Sequence, residues 1–180
     1  GEGKKQAYNE INLLAFNNAT KYAPGGSDSE KINNFFFILA SMALEVKDKE
    51  LANALAITGA VNTIFEDVTL DVNGLKNRIL LLIDTGNYHY ANNFIQAFQL
   101  EDGLKNYFYA RFAKSAAIDG DLDMAKLGLD NWEKYKNSEP IIEKLWFKHK
   151  DDVVVYDKYL AANLMINSAK TYLNENSKDE

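Results

Sequence analysis

Apolar residues recur three and four positions apart along nearly the whole chain, and the polar breaks between these stretches are short. A period near 3.6 sets one side of a helix toward a core, so the pattern predicts an all-α protein. The first stripe, Ala7, Ile11, Leu14 and Ala15, belongs to a helix over about 4–22. It runs into APGGSDSE, where Pro24, Gly25 and Gly26 stop a helix and Ser27, Asp28 and Ser29 are able to cap the next. Eight further helices are expected at about 30–46, 48–65, 73–85, 88–101, 104–118, 121–136, 140–149 and 152–174. Pro24 and Pro140 are the only prolines, which leaves these long helical stretches uninterrupted. In FEDVTLDVNG, residues 65–74, Val68, Leu70 and Val72 alternate as in a strand. No second strand is evident to pair with it, so the segment reads as a linker. The polar tail NENSKDE is expected to fray.

Two of these stretches are copies of one another. Sliding TGNYHYANNFIQAF (85–98) by 34 residues lays it on DGDLDMAKLGLDNW (119–132). Gly86 then matches Gly120, Asn87 matches Asp121, Tyr88 matches Leu122, Ala91 matches Ala125, Ile95 matches Leu129 and Phe98 matches Trp132. Glycine after a helix takes up the left-handed conformation that ends it, and Asn or Asp at the next position accepts from the free amides of the new helix. Positions 88, 91, 95 and 98, like 122, 125, 129 and 132, form one apolar face, with alanine where two helices approach closely.

A helix–turn–helix unit recurring at 34 residues, with G-[DN]-x-x-x-A at its turn, resembles the tetratricopeptide repeat family. Ala113 fills the family's small position twelve residues before Ala125, whereas Ile79 departs from it before Ala91. A weaker earlier copy lies in EVKDKELANALAITG, with Asp48 and Ala52 at the turn and Ala40 as the small residue. Its spacing to the next unit is 39, because the 65–74 segment is inserted. Phe98 and Trp132 replace the family's small residue late in the second helix, and the closing proline is missing, so the repeats are degenerate. The resemblance covers roughly 31–136, with the first helix and the last pair as caps of a short stack in a single domain over 1–180.

The resemblance implies a short right-handed α-α superhelix that binds a protein or peptide, and the lack of any catalytic motif in the sequence makes an enzyme unexpected. The resemblance also implies a concave groove lined by positions two, five and nine of each first helix. Those positions are Asn34, Phe37 and Ser41 in the first unit, Asn73, Lys76 and Leu80 in the second, and Tyr107, Ala110 and Lys114 in the third. Asn34 and Asn73 are suited to an extended peptide backbone, Phe37 and Tyr107 to flat apolar contact, and Lys76 and Lys114 to an acidic side chain or terminal carboxylate.

Composition narrows the partners. The chain has 180 residues, 47% of them hydrophobic and 26% charged, enough for a substantial core. Its net charge is −6 and it has no extended basic run, which disfavours nucleic acid and anionic membrane surfaces. No apolar stretch approaches the roughly 18 residues of a membrane-spanning helix, so a soluble chain is expected. Cysteine is absent, which excludes disulfides, thiolate nucleophiles and cysteine metal sites.

Asp119, Asp121 and Asp123 open like a calcium loop, but Met124 stands where its turn needs glycine and Asp130 where it needs glutamate. An acidic helix N-terminus is the better reading. His89 and His149 have no ligand-spaced partner and are expected at the surface. EKLWFKHK mixes Trp146 and Phe147 with lysines, a weak case for base stacking in an acidic chain. No phosphate loop, nucleophile elbow or dinucleotide fingerprint is present, and no cofactor is implied.

The start, GEGKKQ, reads as a processed or engineered terminus, compatible with the cytoplasm or with a bacterial periplasm or envelope after removal of a signal segment. Two other roles fit the same features. One is a structural or assembly subunit, such as an envelope-anchored lipoprotein, acting by self-association or through a fixed partner. The other is a peptide-sensing regulatory domain.

Overall fold

A computed structural model describes residues 2–3, 6, 10, 28–65, 72–142 and 158–177. These residues hold seven helices and no strand: α1 (Asp28–Glu45), α2 (Lys49–Phe65), α3 (Val72–Asp84), α4 (Tyr88–Ala97), α5 (Asp102–Asp119), α6 (Leu122–Tyr135) and α7 (Lys158–Ser177). The protein is all-α, as the periodicity predicts. Of the expected helix 4–22 only Gln6 and Glu10 are described, both helical. The alternating residues of 66–71 and the stretch 143–157, with Trp146, Phe147 and His149, lie outside the described residues. The chain divides into two compact units, Gly1–Ala91 and Asn92–Glu180.

In the first unit α1 packs along α2, and α3 touches both. Phe36, Phe37, Ala40 and Ala43 of α1 are buried, as are Ala52, Leu55, Ala56 and Ala60 of α2 and Leu75, Ile79, Leu82 and Ile83 of α3. Ala40 and Ala52 are fully covered, and so is Ile79, where a larger side chain replaces the expected small one.

In the second unit α5 is the central helix, packed on α6 and α7. Its core is aromatic and small by turns: Phe108, Tyr109, Phe112, Ala113, Ala116 and Ala117, against Ala125 and Trp132 of α6 and Ala162, Ile166 and Ala169 of α7. Gly128 lets α6 approach α5 closely. A β-carbon there would stand 2.8 Å from Phe112 Cδ1 and 3.0 Å from the backbone of Ala113.

Three helix-to-helix turns share one geometry. Lys47, Gly86 and Gly120 follow α1, α3 and α5 with φ of 61°, 80° and 79°. At each turn the amide of this residue donates to the carbonyl three back (Leu44, Ile83, Ala117), and the next amide donates to the carbonyl five back (Ala43, Leu82, Ala116). This is the paired closure that uses up a helix's last free carbonyls around a left-handed residue. The backbone carbonyl of the following residue, Asp48, Asn87 or Asp121, then accepts the first intrahelical bond of the new helix, donated by the amide of Ala52, Ala91 or Ala125. Asp48 Oδ1 also accepts from Leu51 N at 3.1 Å, and Asp121 Oδ1 from Met124 N at 3.2 Å, so both carboxylates cap helix N-termini.

Several expected boundaries move. The helix expected over 88–101 ends at Ala97, and by Glu101 the backbone is extended, its carbonyl opening α5 by accepting from the amides of Leu104 and Lys105. Phe98 therefore falls outside the helix and is exposed, not part of the buried face, although its ring still meets Phe94 edge-on at 5.9 Å. The helix expected from 140 does not begin there: residues 140–142 are not helical. The chain after α6 is held instead across the start of α5, where Ile141 N donates to Gly103 O and Asn106 Nδ2 donates to the carbonyls of Ser138 and Lys136. The last helix continues through Asn174 and Glu175 to Ser177, so much of the tail expected to fray is helical.

Candidate peptide-binding face

The nine positions implied as groove-lining lie on the first helices of the three turn units, α1, α3 and α5. On α1, Asn34 and Phe37 are engaged inside the first unit. Arg78 of α3 donates from Nη2 to Asn34 Oδ1 at 2.6 Å, and its guanidinium carbon lies 4.9 Å from the centre of the Phe37 ring. Arg78 is 4% exposed and Phe37 is 7% exposed, so the ring covers a charge instead of offering a flat face to a ligand. Ser41, one turn further on, is exposed.

On α3, Lys76 and Leu80 are half-buried, and the side chain of Asn73 lies outside the described residues. On α5, Ala110 is fully buried and Tyr107 nearly so. The Tyr107 hydroxyl accepts from Arg111 Nη1 at 2.8 Å, which fixes the guanidinium one turn along the helix. Lys114 follows, half-buried. The structure thus brings Asn34 and Phe37 together through Arg78, while Ser41, Lys76, Leu80 and Lys114 keep accessible surface. Lys76 belongs to one unit and Lys114 to the other.

Charge along α5 is sorted by position. Lys105, Arg111 and Lys114 are its only interior charges, and its acidic residues stand at the two ends, Asp102 and Asp119. Lys105 is drawn onto the Tyr135 ring, 5.1 Å from its centre. Arg111 and Lys114 are half-buried on the same helix, Arg111 bonded to the Tyr107 hydroxyl. The sequence reading missed both arginines of the chain, Arg78 and Arg111. The available signal was a lone guanidinium inside an apolar run, in NRILLLID and in YARFA.

Within each unit a polar cluster holds the scaffold. Asn53 Nδ2 donates to Thr85 O at 2.9 Å and Asn87 Oδ1 at 3.1 Å, while Asn87 Nδ2 donates back to Asn53 O and to Thr85 Oγ1. These bonds tie α2 to the turn after α3. In the second unit Trp132 Nε1 donates to Asn106 Oδ1 at 2.9 Å, and Asn106 is 1% exposed. Tyr109 OH donates to Asn92 Oδ1 at 2.8 Å, and its ring stacks on Tyr135 at 6.2 Å. Burial pushes the Tyr109 phenol up to about 12, helped by the neighbouring Tyr135 and opposed by a hydrogen bond with Gln96.

Asp119, Asp121 and Asp123 are exposed, and His89 is exposed. Among the described residues no group of three or more His, Asp or Glu is placed to hold a metal ion. No described helix is long and apolar enough to cross a membrane. No protein-family model matches the chain, and neither a curated protein nor a solved structure matches it.

Proposed function

We propose that the chain is a non-enzymatic helical-repeat module of tetratricopeptide-like character, built as a short right-handed superhelix, that binds a protein or peptide along its first helices. The observation that carries the reading is the triple recurrence of one turn at Lys47, Gly86 and Gly120, each followed by an Asp or Asn whose carbonyl accepts the first intrahelical bond and then by a fully buried alanine, Ala52, Ala91 or Ala125. Repeated hairpins that stack in one direction align their first helices, and aligned helices make an extended surface for a chain-like ligand. The proposed ligand-facing residues are Ser41 and Lys76 on the first unit and Arg111 and Lys114 on the second. Asn34, Phe37 and Tyr107 act behind them, by holding Arg78 and Arg111 in place.

The lysines define the partner's chemistry. A chain of net charge −6 repels acidic ligands except where cations reverse the local field. The test is a pull-down with wild type and with Lys76→Glu/Lys114→Glu. The variant is expected to keep the wild-type helical circular dichroism and to lose capture of the acidic partner, with a difference that shrinks as salt rises. Equal capture at low salt would remove the lysines from the mechanism.

A second reading is an assembly subunit, and one observation favours it. Ile38 and Met42 on α1 and Val46 in the turn just after it are 43%, 55% and 75% exposed. Light scattering separates the two readings, since a groove-binding module is monomeric without its ligand and a self-assembling subunit is not.

A further inference from the structure

We draw no further inference here: the strongest candidate, the exposed apolar patch of Ile38 and Met42 on α1 with Val46 just after it, is an unpartnered face with nothing in the structure to show what covers it.

Discussion

Lys47 takes the left-handed conformation that Gly86 and Gly120 take at the equivalent turns, and it does so with a β-carbon. An L-residue there is strained by roughly 1–2 kcal/mol, which glycine avoids. Lys47→Gly is therefore expected to stabilise the chain and Gly120→Ala to destabilise it, each by about 1 kcal/mol in urea unfolding. A β-carbon at Gly120 meets nothing within 4 Å, so the second change isolates the backbone cost. Opposite signs for the two variants support a shared turn geometry; a neutral Gly120→Ala contradicts it. Tyr109 gives a residue-scale test by pH. Its phenol ionises near 10 in the unfolded chain and near 12 in the folded one, so the folded state holds the proton longer. That contribution is complete below pH 10 and is lost as pH rises from 10 through 12. Tyr109→Phe should remove this part of the alkaline fall in stability, and identical wild-type and variant slopes over that range would refute the assignment.

Helix–helix contacts in the second unit depend on small residues at matched places. Ala113, Ala125 and Gly128 let α5 and α6 approach closely, with Phe112 and Trp132 filling the space to either side. Ala125→Leu should cost roughly 1–3 kcal/mol by overpacking. Lys126→Leu, next to it on the exposed side, should stay within about 0.5 kcal/mol. Equal melting temperatures would place the buried face of α6 elsewhere. Much of this was legible in the sequence, because Gly86, Gly120, the capping Asp48 and Asp121 and the turn alanines act through neighbours a few residues away; Asn87, expected to cap in the same way, instead pairs with Asn53, 34 residues back. Asp48 and Ala52 were legible on the same grounds, even without a glycine at position 47.

What was not legible depends on residues far apart in the chain. Phe37 looked available for a ligand, but it lies under Arg78, and their pairing needs α1 and α3 side by side. Residues 140–142 looked like a helix start, but Asn106 and Gly103 take up the polar groups of the segment between 136 and 141. Gly128 could have been noticed as a mid-helix glycine, a residue that costs stability unless a close approach requires it.

At the scale of the whole molecule, one turn is written more than once, at Lys47, Gly86 and Gly120, and the proposed function rests on that repetition. The chain has no cysteine, so spin labels can be placed in pairs without background. Leu81 and Gln96 flank the turn at Gly86 in the chain as Ser115 and Asp130, each 34 residues on, flank the turn at Gly120, and all four keep accessible surface. The most direct measurement is the pair of interlabel distance distributions by double electron–electron resonance, from Leu81→Cys/Gln96→Cys and from Ser115→Cys/Asp130→Cys. Repetition of the hairpin predicts that the two distributions coincide within their widths. Separate, non-overlapping distributions in folded protein would show two unlike hairpins and contradict the account.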